Sequence, residues 1–241
     1  MVTYIPGAVD PADPPAVLDG FTICNGIADG TDTGDIDGGG IYQDGGQPIL
    51  KRLLILSNFA KHNGGGMYAI SGYAKITDVR FEFNRTMIDP NAYDHSVSIY
   101  RGGGMYSGLY SHPILTRVVF KGGESNMGGG LADMGWAKLN HVTFTRNHAW
   151  DFGGGMYSIY NATLNHVFFE NNTVNYQGNA ITISYSQVGG GGMAIYNGPA
   201  TLNNVVFAGN ESTFHKDHHN HACLEGAGGG LLITRVDPNQ D

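Results

Sequence analysis

The sequence predicts an all-β fold, a right-handed parallel β-helix (solenoid) of about seven to eight coils with three loop insertions on one side. Three observations carry this expectation. Glycine runs stand at 38–40, 64–66, 102–104, 128–130, 153–155, 189–192 and 228–230, and their last glycines are spaced 26, 38, 26, 25, 37 and 38 residues apart. A unit of about 25 residues, in places longer by roughly 12, is the period of a solenoid. Each run is followed by an apolar residue (Ile41, Met67, Met105, Leu131, Met156, Met193, Leu231), and no segment carries a helical repeat.

Residues 1–17 contain Pro6, Pro11, Pro14 and Pro15. They read as an extended lead-in or the remnant of an upstream coil, because proline excludes a helix interior. Residues 18–241 then form a single domain. The alternation through Leu18, Phe21 and Ile23 marks a half-buried strand of the first coil. The second recurring segment is clearest at 137–147, with Leu139, Val142, Phe144 and a closing Asn147. It returns at 162–172 and at 200–210, where Leu202, Val205 and Phe207 fill the apolar places. Ile76, Val79, Phe81 and Asn84 fit the same frame; so do Leu115, Val118 and Phe120, with Gly123 in place of the asparagine. Residues 53–63 fit worst, with Ser57 in the valine place and His62 in the asparagine place.

The spacing Val-x-Phe has period two, so both side chains face the inside of the coil. Stacking sets each Phe over the next and buries one continuous core. The closing asparagine suits a turn, since Asn tolerates the left-handed region and bonds its own backbone. The glycine runs allow sharp corners and close approach of backbones.

The glycine runs with Met105 and Tyr106, the 139–144 segment and Phe-x-x-Asn together resemble the repeats of bacterial surface β-helix proteins, among them the chlamydial polymorphic outer membrane proteins. The resemblance covers nearly the whole chain. It implies a secreted or cell-surface protein, an adhesin or carbohydrate-interacting module, and it supplies no catalytic residues because the matching motifs are structural.

Composition excludes several partners. The chain is 14% charged with net charge −8 and no Lys/Arg run, a poor surface for nucleic acid or anionic membrane. No apolar run approaches the ~18 residues of a membrane span, and the first residues lack the basic and apolar regions of a signal peptide. Cys24 and Cys223 fall about seven coils apart, roughly 30 Å at strand spacing, so no intrachain disulfide is expected.

The interruptions of the repeat are its most informative part. Between the turn asparagine and the next glycine run, insertions at 85–101, 173–188 and 211–227 are far longer than the connections 124–127 and 148–152. All three leave from one corner and should project from one side, the usual binding side of a repeat protein. The first carries Tyr93, Asp94, His95, Tyr100 and Arg101; the second carries Tyr176, Gln177 and Tyr185. Tyrosines with amides and acids suit a carbohydrate, with rings on sugar faces and polar groups on hydroxyls. Against this stands the plainer reading of surface loops packed back on the coil.

The third insertion holds His215, Asp217, His218, His219 and His221. Imidazoles suit a transition metal such as Zn or Cu, although the spacing matches no standard site and a solvated loop explains it as well. Asp29, Asp32, Asp35 and Asp37 crowd the loop before the first glycine run and are candidate calcium ligands, without EF-hand spacing. No cofactor is required by anything else in the chain. Tyr42, Tyr68, Tyr106 and Tyr157 alternate outward and read as a stacked ladder. Asp78, Arg117, His141, His166 and Asn204 share one place in the frame and would meet on adjacent coils.

A binding module for a polysaccharide or cell-surface ligand ranks first. A polysaccharide lyase or glycoside hydrolase ranks second, with Asp94, His95, Arg101, Arg117 and Asp217 as candidate catalytic groups. A structural spacer of a longer surface protein, able to self-associate end to end through its outer strands, ranks third.

Overall fold

The computed structural model describes residues 2–4, 14–32, 34–88, 100–176, 187–214 and 225–234. Among these residues every regular element is a β-strand, the strands pair in parallel, and they form three sheets. No helix among them is long and apolar enough to cross a membrane. The chain visits the sheets in rotation. Met105–Ser107 lies in the first sheet, Ile114–Thr116 and Val119–Lys121 in the second, and Glu124–Met127 in the third. Leu131–Asp133 then returns beside Met105–Ser107, with Met105 opposite Leu131. The result is a solenoid-like stack.

The first sheet is built from the segments after the glycine runs, from Ile41–Asp44 to Leu231–Thr234. Val2–Tyr4 extends it, opposite Ile41–Gln43, so the lead-in contributes a strand. The glycines here leave no room for a side chain. Gly102 has φ +71°, in the left-handed region, and a Cβ on Gly103 would meet backbone atoms of Glu124 and Gly129 on neighbouring segments.

The core is a set of axial columns. Phe81, Phe120, Phe144, Phe169 and Phe207 stack with centroid separations of 4.8, 4.9, 4.7 and 4.9 Å. Val79, Val118, Val142 and Val167 form a second buried column, and Ile76, Leu115, Leu139 and Leu164 a third. These stacks follow directly from the repeated Leu, Val and Phe places.

Two expectations about the repeat need correction. The segment expected at 53–63 lies about five residues earlier. Leu50, Leu53 and Ile55 pair or align with Ile76, Val79 and Phe81, and Asn58 stands beside Asn84. Ser57 is therefore not in the valine place, nor His62 in the asparagine place; Leu and Ile substituting for Val and Phe hid the frame. The closing asparagines also do not hold the left-handed turn. That conformation belongs to the residue before each, at Ser57, Phe83, Arg146 and Asn171, with φ of 52–54°. The asparagines point inward and bond between coils. Asn147 Nδ2 donates to Phe120 O at 3.0 Å, and its Oδ1 accepts the Gly123 N–H at 2.9 Å.

Candidate functional site

The third sheet runs in the order 211–214, 173–176, 148–152, 124–127, 85–86, 59–60 and 27–28 along the stack. Arg85–Thr86 begins the first insertion and Thr173–Tyr176 begins the second. The two short strands Glu124–Met127 and His148–Phe152 lie between these two segments in the sheet and form a wall. Alternation turns Ser125 and Ala149 into the core, both fully buried, and leaves Glu124, Asn126, His148 and Trp150 on the outer side.

Polar groups converge on this wall. Glu124 lies opposite His148, and His148 opposite Thr173. The His148 Nδ1 is 2.9 Å from Thr173 Oγ1, and its ring meets Trp150 edge-on at 5.5 Å between centroids. Burial pushes the His148 pKa down, against the charge of Glu124, so the ring is neutral near pH 7. Asn126 Nδ2 donates to Asp151 Oδ2 at 3.3 Å. Burial pushes the Asp151 carboxyl up to about 6, and the Asn126 amide opposes that shift.

Several buried polar atoms here have no hydrogen-bond partner among the described residues. Asn126 Oδ1 and Trp150 Nε1 belong to the two strands of the wall and Asn175 Oδ1 to the adjoining strand Thr173–Tyr176, and Arg101 Nε lies at the wall's other edge, where Arg101 bridges Met127. A buried donor or acceptor without a partner costs about 1–3 kcal/mol. A column of such groups is suited to a ligand rich in hydroxyls.

The structure brings some sequence candidates together and separates others. Tyr100 and Arg101 stand at the end of the first insertion. The Tyr100 ring meets His62 edge-on at 6.2 Å, and the Arg101 N–H donates to Asn63 Oδ1 at 3.1 Å. Asp37 joins this corner: its Oδ1 accepts the Asn63 N–H at 2.7 Å and lies 3.2 Å from His62 Nδ1. Asp29, Asp32 and Asp35 remain exposed, apart from the buried Asp37. Among the described residues no group of three or more His, Cys, Asp or Glu is placed to hold a metal ion. Tyr93, Asp94, His95, Gln177, Tyr185, His215, Asp217, His218, His219 and His221 lie outside the described residues. So does the side chain of Tyr176, whose backbone closes the strand Thr173–Tyr176.

Arg117 is committed elsewhere. Its guanidinium holds Asp78 through two bonds of 2.6 and 2.8 Å, which pulls the Asp78 carboxyl below its ordinary pKa. Asp78, Arg117, His141, His166 and Asn204 are turn residues with φ of 52–56°, and His141 stacks on His166 at 4.8 Å. On this exposed ridge Asp78, Arg117 and His141 join pairs of second-sheet strands, while His166 and Asn204 lie within the continuous strands Ala162–Glu170 and Ala200–Ala208. Cys24 is an exposed free thiol; Cys223 lies outside the described residues.

Tyr42, Tyr68 and Tyr106 stack at 5.1 and 5.2 Å, while Tyr157 departs from the ladder, buried and tilted against Phe152 and Tyr196. Burial raises the Tyr68 and Tyr106 hydroxyls above their ordinary pKa. A second ladder, Tyr73, His112, Trp136 and Tyr160, stacks at 4.8, 4.7 and 5.8 Å. Its inner rings present edges to solvent because their faces cover one another, so it braces the turn rather than offering faces to a sugar. The sequence did not reveal it, since its members occupy the most variable turn of the coil. Nor did the sequence reveal the Glu124–Asp151 wall, because two short connections between conspicuous motifs look like plain loops. Their one signal is the outward alternation of Glu124 with Asn126 and of His148 with Trp150. Compared with family models, curated proteins and solved structures, the chain matches none.

Proposed function

We propose that the chain is a right-handed parallel β-helix module of about seven to eight coils that binds carbohydrate at a cell surface or as a secreted protein. Its binding face is the wall between the insertions at 85–101 and 173–188, with the insertion at 211–227 on the next coil. The observation that carries this reading is the column of buried, unpartnered Asn126 Oδ1, Trp150 Nε1 and Asn175 Oδ1. Two acceptors and one donor stand on adjacent strands about 4.8 Å apart, and the hydroxyls of a glycan lying along the stack would pair with them. The Trp150 indole supplies the aromatic surface that sugars favour. Arg101 and Tyr100 stand at one margin.

The test is a glycan-binding screen followed by calorimetric titration of the strongest ligand. Trp150→Ala should weaken binding at least about tenfold, equal to 1.4 kcal/mol. Trp136→Ala, in the turn ladder, should leave affinity unchanged. Equal affinity in both variants removes the wall as the site.

A further inference from the structure

The wall contains an irregularity that binding alone does not require. Ser125 pairs with Ala149, but Met127 pairs with Phe152, so the register shifts by one residue between them. Trp150 and Asp151 together oppose Asn126, which is a β-bulge. It is the single register shift among the strand pairings of the described residues. Bulges re-aim side chains and are frequent beside active sites. Ala149 and Phe152 both face the core. Trp150 and Asp151 therefore both lie on the outer side, half-buried, and the Asp151 carboxyl meets the Asn126 amide.

The bulge places Asp151 diagonally across from Glu124. Glu124 is two residues from Asn126 along its own strand, and Asp151 is one strand over. At about 3.3 Å per residue and about 4.8 Å between strands, the backbones at these two positions are roughly 8 Å apart. Side chains reaching outward from backbones at that distance can set their carboxyls about 6.5–9.5 Å apart, which leaves room for a water between them and the sugar, the spacing of inverting glycoside hydrolysis.

Resting on the carbohydrate reading of the wall, we propose that Asp151 and Glu124 are the acid and base of an inverting glycoside-hydrolase site. Asp151 gives its proton to the glycosidic oxygen as the bond from that oxygen to C1 breaks, and the bonding pair leaves with the oxygen. Glu124 takes a proton from water, whose oxygen forms the new bond to C1 from the opposite face. The products are an alcohol on the leaving sugar and a hemiacetal of inverted configuration. Burial supports the acid role by keeping Asp151 protonated up to about pH 6. Trp150, beside the acid, holds the sugar ring, and the Thr173 contact fixes the His148 ring next to Glu124. Asn126, bonded to Asp151, is a positioning residue.

The experiment titrates the whole chain with soluble β-glucan, xylan, pectin and chitin oligosaccharides, and separately follows reducing ends and the anomeric proton by NMR. The expected result is binding of one class, slow release of reducing ends from it, and an inverted first product. Asp151→Asn and Glu124→Gln should each lower release at least about 100-fold while binding persists. Binding without release, release that survives both substitutions, or a retained anomer overturns the hydrolase and leaves the binding site standing. Absence of binding to all four overturns both readings. Asn126→Ala should shift the pH profile of release, an effect that a purely structural role would not produce.

Discussion

Asn172 Oδ1 accepts two hydrogen bonds from Asn147, one from its backbone N–H at 3.0 Å and one from its Nδ2 at 2.9 Å. The same pair of contacts joins Asn58 to Asn84 and Asn172 to Asn210. Each asparagine thus satisfies groups on both neighbouring coils where the chain turns inside the stack. Asn147→Ala would leave the Gly123 N–H, the Phe120 carbonyl and Asn172 Oδ1 short of a partner in a fully buried place. Its expected cost is about 2–4 kcal/mol by urea denaturation. Asn165→Ala removes only partly exposed bonds to Asn140 and Asn203 and should cost about 0.5 kcal/mol. Equal losses would show that the inner ladder has no special role.

Gly103→Ala tests the close approach of the glycine runs. The new methyl carbon would stand 2.4 Å from Glu124 N and 2.5 Å from Gly129 O, both backbone atoms that cannot swing aside. The neighbouring coil would have to move, at about 3 kcal/mol. Gly20→Ala should cost less. It carries the strain of φ +79° but meets nothing within 4 Å. Thermal unfolding of the two variants orders these effects, and a milder Gly103→Ala would mean that the coils separate easily.

Asp133 gives stability a pH dependence. It is fully buried at the end of a first-sheet strand, where its oxygens accept the Gly135 and Ala137 N–H groups, both at 3.1 Å. Burial dominates and raises its pKa from 3.8 to about 6, while those two bonds hold it down. The folded protein therefore binds a proton that the unfolded chain releases. The contribution is fully present below pH 3.8 and is lost as pH climbs through about 6. Two pKa units correspond to about 3 kcal/mol. Asp133→Asn mimics the protonated form, so the difference in unfolding free energy between wild type and variant should change by about that amount between pH 3.5 and 7. A constant difference would place the proton elsewhere.

The all-β, coil-by-coil organisation was legible because stacking forces like residues onto like. Phe144 over Phe169 and Met105 over Met67 are one relationship seen in sequence as period and in space as a column. The same averaging hid the exceptions. Ile55 performs the task of Phe81 without resembling it. The asparagine ladder was recognised by position but given the wrong bonds, since a sequence shows that a turn recurs and not which side its amide faces. The wall was harder still. Asp151 faces outward because of one residue too many in one short strand, and that surplus has meaning only when the partner strand is laid beside it.

The two tryptophans separate the wall from the rest of the stack. Trp136 lies between His112 and Tyr160 in the turn ladder, and Trp150 lies edge-on to His148 on the wall. Trp136→Phe keeps an aromatic ring in the ladder and leaves Trp150 as the sole indole. Its Nε1 has no partner among the described residues, so a ligand hydroxyl that accepts this proton should change its emission wavelength and intensity. Saturation should follow the calorimetric isotherm of the same glycan. The reciprocal variant, Trp150→Phe, should show no ligand-dependent change from Trp136. A response confined to Trp136 would move the binding face to the turn ladder on the other side of the coil, where Tyr73 and Tyr160 are the exposed rings.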